Sequence, residues 1–331
     1  MEIKKILVIR LSSLGDIILT QPVIMNLKQH YPQAEIHYLT KPAFHDIVKS
    51  FPEDTKIIHW DNDLKSLFKI HHLRFDLLID LHNKPNTALI RLFCRVKRKV
   101  VYDKRHFLRQ QIVKKNTSET ISSTLDLYYS VLRKIGIEPV QAYPQIKADN
   151  SAERLLADNA ISPGKFVLIF PGATSYTKRW SLKNFAALID LISPDNKVVI
   201  AGSNSEMELA EELKKLTEHP VTDFTGRTTM TELISLISLA KTVICNDSGP
   251  AHLAAALQKH QITIFGATSP RLGFAPLNDN GIIISKNLPC SPCSLHGSEN
   301  CPLDHFNCMK QITPQDVYQE LIKNSPEITL D

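Results

Sequence analysis

The chain has 331 residues, of which 43% are hydrophobic, 22% charged and 7% aromatic, enough for one large domain or two ordinary ones. Eleven glycines and nineteen prolines are too few, and the apolar residues too many, for a disordered, collagen-like or mucin-like chain. The net charge of +5 hides an asymmetry, because residues 1–160 hold 25 Lys and Arg against 17 Asp and Glu, and the remainder 14 against 17.

The start carries an apolar run of only Ile6 to Ile9 before Arg10, too short for a secretory segment, and nowhere do 18 apolar residues run consecutively. A cytoplasmic protein is expected, with its six cysteines as thiols or metal ligands. Short apolar runs then alternate with helical periodicity. Residues 3–9 read as a strand, 16–30 as a helix, 35–40 and 56–60 as strands, 76–81 as a buried strand, 86–96 as a helix and 99–102 as a strand. A polar break at 147–151, a short helix to Ala160 and a turn at 162–164 precede a second series. There 166–170, 197–201, 221–224, 242–245 and 262–265 read as strands, separated by helices at 182–192, 205–216, 231–240 and 250–257. The alternation predicts two Rossmann-like α/β domains with parallel sheets, residues 1–160 and 161–331, and ligands at the carboxyl ends of strands in the cleft between them. A last helix at 314–324 suits either half.

The chemistry must lie in strand-to-helix loops, because neither G-x-G-x-x-G nor a Walker A pattern occurs, which argues against ordinary dehydrogenases and P-loop NTPases. The loop Arg10-Leu-Ser-Ser-Leu-Gly-Asp16 offers Asp16 either as a helix cap or as a carboxylate that takes a proton from an attacking hydroxyl. In Cys245-Asn-Asp-Ser-Gly-Pro-Ala-His252, small residues at a helix start form an anion site, although Pro250 and a capping Asp247 or Ser248 are also ordinary helix-start chemistry. The loop from Phe170 to Trp180 adds the hydroxyls of Thr174 and Thr177 and the cations Lys178 and Arg179, which suit a diphosphate. Glu206, in Gly202-Ser-Asn-Ser-Glu206, is placed either to accept from a ribose or to sit as a first-turn carboxylate.

Together these segments resemble glycosyltransferase family 9, the ADP-heptose:lipopolysaccharide heptosyltransferases of GT-B fold. The resemblance rests on Ile9-Arg-Leu-Ser-Ser-Leu-Gly-Asp16, Asp80-Leu-His82, Pro171-Gly-Ala with Lys178-Arg-Trp180, and Asn246-Asp-Ser-Gly-Pro-Ala-His-Leu253, in that order along nearly the whole chain. It implies that Asp16 is the general base of an inverting displacement and that Lys178 neutralises the diphosphate. It implies also that Ser248 and Gly249 bind phosphate, that Asp247 contacts the donor sugar and that Glu206 holds the ribose. His252 matches the family motif, in a position that suits packing more than direct contact. The resemblance further implies ADP-heptose as donor, a phosphorylated lipid A and Kdo core as acceptor, and no catalytic divalent ion. The phosphate loops do not read the base, so another nucleotide sugar stays open, as does a non-catalytic nucleotide-sugar-binding protein in which Asp16 is only a cap.

The segment from Lys84 to Lys115 holds eleven Lys and Arg and one acid, Asp103. On a helix from Asn86, Arg91, Arg95 and Arg98 share one face, either solvated or attracted to the inner-leaflet membrane surface, with Lys104, Arg105 and Arg109 contributing. Ser13, Asp80, His82, Lys84 and Arg105 are candidate acceptor contacts. The patch lacks the interleaved aromatics of a nucleic-acid binder, so nucleic acid is not expected as a partner. Finally Cys290, Cys293, Cys301 and Cys308 fall within 19 residues, as C-x2-C-x7-C-x6-C. Four soft ligands of this kind could hold a structural zinc, with reduced loop thiols as the alternative, since only the first pair has ligand spacing.

Overall fold

A computed structural model describes residues 2–115 and 117–324. Two compact units result: one takes the chain as far as His106 and again Ser123–Lys147, the other Phe107–Ser122 and the chain from Ala148 onward. Each is a doubly wound parallel sheet, giving the α/β class that the alternating pattern implied.

The first unit runs β1 (Lys5–Ile9), α1 (Leu14–Ile18), α2 (Gln21–His30), β2 (Glu35–Thr40), α3 (His45–Lys49), β3 (Lys56–His59), α4 (Leu64–Leu73), β4 (Phe75–Asp80), α5 (Pro85–Phe93) and β5 (Val96–Val101). After α6 (His106–Lys114), α7 (Thr124–Lys134) returns to it. The strand order is β3-β2-β1-β4-β5, and Ile6 lies opposite both Ile36 and Leu77. Central strands of a sheet covered on both faces must be apolar throughout, and Ile6 to Ile9 are fully buried. The helix expected over 16–30 is two, because Pro22 in the first turn of α2 has no N–H to extend α1. The helix expected over 86–96 ends at Phe93, where Cys94 turns extended and Val96 begins pairing with Phe75. Arg98 therefore stands on β5, and the helical face of Arg91, Arg95 and Arg98 does not form.

The second unit contains α8 (Glu153–Ala157), β6 (Phe166–Phe170), α9 (Leu182–Ile192), β7 (Lys197–Ile200), α10 (Met207–Leu216), β8 (Thr222–Asp223), α11 (Met230–Leu239), β9 (Thr242–Asn246), α12 (Gly249–Ala256), β10 (Gln261–Ile264), β11 (Gly281–Ile284), α13 (Asn307–Lys310) and α14 (Pro314–Asn324). Its strand order is β11-β10-β9-β6-β7-β8. The passage between units falls at Lys147–Ala148 rather than near residue 160. The Ala152 N–H donates to Ser235 Oγ at 3.1 Å, and that hydroxyl donates to the Asp149 carbonyl at 2.7 Å, tying 149–152 to α11. Arg109 on α6 is likewise no surface charge. It is buried, donates to the Leu272 carbonyl at 3.1 Å and lies over the Phe274 ring.

Among the described residues no helix is long and apolar enough to cross a membrane. The last helix packs within the second unit, where Val317 and Leu321 join Leu188, Ile189 and Ile192 of α9 in one buried cluster. Leu321→Ala should therefore cost about 2–5 kcal/mol in a denaturant titration, the range for an aliphatic side chain lost from a packed core.

Candidate functional site

In the first sheet the winding reverses between β1 and β4, so the loops that follow these two strands diverge and leave a crevice at their carboxyl ends. Arg10, the residue after β1, is 6% exposed. Its guanidinium donates from Nε to the Ser12 carbonyl at 2.6 Å and from one terminal nitrogen to the Leu81 carbonyl, just past β4, at 2.5 Å. The other terminal nitrogen pairs with Asp16 Oδ2 at 2.5 Å. Burial works against this charge, but Asp16 and the phenols of Tyr128 and Tyr102 more than offset it, so the guanidinium is held more firmly protonated than usual. The same Oδ2 accepts from the Ser13 hydroxyl at 2.8 Å and its N–H at 3.3 Å, the local capping arrangement of α1. Oδ1 accepts from Tyr128 Oη at 3.4 Å. Asp16 is thus both a capping residue and a carboxylate clamped to a buried cation.

Around this pair the field is positive. Lys104 is pulled down to about 8 by burial and by Arg10 and Lys84. His82 is buried, and its Nδ1 has no hydrogen-bond partner. Burial, then Arg10, Lys84 and Lys104, push His82 down to about 3. Asp80 accepts the backbone N–H groups of His82 and Asn83 at 2.8 Å each and pairs with Arg91.

In the second sheet the reversal lies between β6 and β9, and Asn246 joins the loops that follow them. Its amide donates to the Pro171 and Gly172 carbonyls at 2.8 and 3.2 Å, while its oxygen accepts the Trp180 N–H at 3.0 Å. A cavity of about 640 Å³ opens beside these loops, lined by Thr174, Glu206, Gly226, Thr229, Ser248 and Gly249. That volume suits a nucleotide-sized ligand. The start of α12 lies at one side of the cavity; Pro250 there has no N–H and the Ala251 N–H turns back to the Ser248 carbonyl at 3.2 Å, while the positive end of the helix dipole favours an anion. Glu206 Oε2 accepts from the N–H and hydroxyl of Ser203 at 2.7 and 2.8 Å. Its other oxygen leans over Gly172, where an added Cβ would come within 1.7 Å of it. Lys178 Nζ pairs with Asp247 Oδ2 at 2.8 Å, and Thr268 donates to that same oxygen at 2.6 Å.

Two doubly wound parallel sheets of this kind give the GT-B fold of solved heptosyltransferases. The chain belongs to glycosyltransferase family 9 (heptosyltransferase), whose profile matches residues 66–303. Lipooligosaccharide heptosyltransferase 2 of Campylobacter jejuni is 26% identical over 329 residues, covering 94% of this chain and 96% of that protein. Among solved structures, E. coli ADP-heptose LPS heptosyltransferase II has a TM-score of 0.79 at 22% identity, covering 98% of this chain and 99% of that one. E. coli heptosyltransferase WaaC with ADP has a TM-score of 0.73 at 17% identity, covering 97% and 99%.

Of the residues singled out from the sequence, Thr174, Glu206, Ser248 and Gly249 come together at the cavity of the second unit. Lys178 and Asp247 meet as an ion pair. Thr177 is fully buried, and its hydroxyl and N–H both donate to the Ser298 carbonyl, at 2.9 and 3.0 Å, which anchors the loop. His252 is half-buried on α12. In the first unit Ser13, His82 and Lys84 surround the Asp16 loop, whereas Arg105 is exposed and pairs with Asp103 at 3.4 Å. Sequence reasoning gave Lys104 only a surface role and overlooked Arg10 and Tyr128 as partners of Asp16. An arginine directly after a strand, six residues before a candidate base, was the available signal.

Cys290, Cys293, Cys301 and Cys308 are free thiols that lie near enough to act on one another electrostatically. Among the described residues no three His, Cys, Asp or Glu side chains are arranged to hold a metal ion. Burial, with the neighbouring cysteines, raises the Cys293 thiol and takes Cys308 to about 11.

Because His82 keeps a neutral ring above about pH 3 when folded but takes a proton below about 6.5 when unfolded, its contribution to stability is present above pH 6.5 and is lost as pH falls from 6.5 toward 3. Urea midpoints taken from about pH 7 down to about pH 4 should fall less steeply for His82→Gln than for the parent protein.

Proposed function

We propose that the protein transfers a heptose from ADP-heptose to the phosphorylated Kdo–lipid A inner core of lipopolysaccharide, or to a heptose already on it, at the cytoplasmic face of the inner membrane. The observation that carries this reading is full-length similarity to a lipooligosaccharide heptosyltransferase, at 94% coverage of this chain. ADP as the nucleotide is supported by the nucleotide-sized cavity and by the WaaC structure, which holds ADP.

In the proposed reaction an acceptor hydroxyl attacks the anomeric carbon as the bond to the ADP oxygen breaks, inverting the centre. Asp16 takes the hydroxyl proton, and Arg10 keeps its carboxylate ionised and aimed. The charge developing on the leaving diphosphate is stabilised by Lys178 and the positive end of α12, without a divalent ion. Asp247, occupied by Lys178 and Thr268, serves here to hold that lysine in place. Glu206 holds the ribose, with Gly172 leaving room for its carboxylate. Lys84, Lys104 and His82 make the anion-favouring face for acceptor phosphate or carboxylate groups.

Calorimetric titration with ADP, UDP, GDP and ADP-heptose, with and without EDTA, tests the donor. ADP-selective binding that survives chelation is expected, and preference for another base moves the donor while keeping the fold. Asp16→Asn should lower kcat about 10²–10⁴-fold and leave ADP-heptose affinity unchanged, as single-turnover rates beside calorimetry will show. Loss of binding with loss of rate would make Asp16 a structural cap. Lys178→Ala should weaken ADP binding about tenfold or more, the value of one charge-assisted contact, and unchanged affinity would remove its diphosphate role.

A further inference from the structure

Thirteen large hydrophobic side chains stand exposed among the described residues, and five of them crowd onto two short helices of the first unit. On α4, Leu64 and Phe68 are 69% and 62% exposed, and on α5 Leu89, Leu92 and Phe93 are 44%, 77% and 51% exposed. The spacings i, i+4 and i, i+3, i+4 put each set on one face of its helix. These are not core residues seen edge-on. The inward faces are filled by Leu67 and Ile70 on α4 and Ile90 on α5, which share a buried cluster with Leu78 and Cys94. The helices are tied together, since His71 Nδ1 near the end of α4 donates to the Phe93 carbonyl at 2.8 Å. The two exposed sets therefore stand on neighbouring helices packed on the same sheet, and five such side chains together exceed the apolar residues that a soluble monomer scatters singly.

The charge around the patch selects its occupant. Neither α4 nor α5 contains an acidic residue, and Lys65 and Lys69 stand exposed beside Leu64 and Phe68, with Arg95 exposed just past Phe93. The nearest acids in sequence, Asp61 and Asp63, precede α4, and Asp63 is spent accepting the Ser66 N–H at 2.8 Å. Apolar side chains rimmed by lysine and arginine match the boundary of an anionic bilayer, where acyl chains receive the first and lipid phosphates attract the second.

We propose that the outward faces of α4 and α5 are the surface by which this protein docks on an anionic phospholipid bilayer. The assignment rests on the reading that the acceptor is a membrane lipid, and it adds which part of the fold meets the membrane. Two helices held on a packed sheet insert their hydrophobic tips to a shallow depth, about 5–10 Å, while Lys65, Lys69 and Arg95 stay at the phosphate level.

The test is co-sedimentation with vesicles of phosphatidylethanolamine and phosphatidylglycerol, beside vesicles of phosphatidylcholine alone. The parent protein should favour the anionic vesicles, and raising salt to about 0.5 M should weaken that preference. The double substitution Phe68→Ser with Leu92→Ser should lower partitioning about tenfold or more. Lys65→Glu with Lys69→Glu should abolish the preference for anionic over neutral vesicles. Partitioning that is undetectable for the parent protein, or equal in the Phe68 and Leu92 variant, would overturn the assignment. So would sedimentation showing a dimer that these substitutions dissociate, because a second copy would then cover the patch. ADP-heptose titration of the same proteins separates the two readings: normal donor binding without vesicle binding refutes the docking surface alone, whereas absent donor binding refutes the donor reading whatever the vesicles show.

Discussion

Everything in the first unit that bears on chemistry depends on one buried cation. Arg10 could not be left unpaired beneath the sheet's carboxyl edge, since an isolated charge there would cost several kcal/mol. Carbonyls from its own loop and from the end of β4, together with Asp16, satisfy it. The consequence runs both ways. The guanidinium fixes the backbone of two loops that diverge at the switch point of the sheet, and it pairs with Asp16 on a short helix whose start that residue also caps. A carboxylate in such a place is held in one orientation without being buried.

The second unit solves the same problem with a neutral group. Asn246, wholly buried at the end of β9, uses both halves of its amide to join the β6 and β9 loops, so the anion-binding start of α12 and the lysine loop share one frame. Lys178 is then oriented by Asp247, itself fixed by Thr268. A lysine so constrained has already given up most of its rotamer freedom in the folded chain.

The parallel strands were legible in the sequence because strands buried on both faces leave nearly unbroken apolar runs, such as Phe166 to Phe170 and Ile6 to Ile9. The loop residues were legible because chemistry at strand ends needs small, hydroxylated or charged residues in a few places. Less was visible where meaning depends on distant chain. Nothing local links Arg10 to Leu81, 71 residues away, or Lys178 to Asp247, and neither pairing could be read from spacing. α4 was not anticipated, although Leu64, Leu67 and Phe68 keep helical spacing; Leu67 and Ile70 face inward and Leu64 and Phe68 outward. The four-residue β11 is too short to produce any period at all, whereas β8 lies within the strand expected over 221–224.

The path of the chain has a consequence for how such a protein can be inherited and recombined. Because Phe107–Ser122 belongs to the second unit while the stretches on either side belong to the first, the polypeptide passes between units three times. A single crossover between two related genes, placed at the obvious boundary after Lys147, would transfer the second sheet without α6, and Leu272 and Phe274 would then meet a foreign Arg109 equivalent. Modular exchange of the two units is thus penalised by topology, and the two sheets are expected to be transmitted as a linked pair.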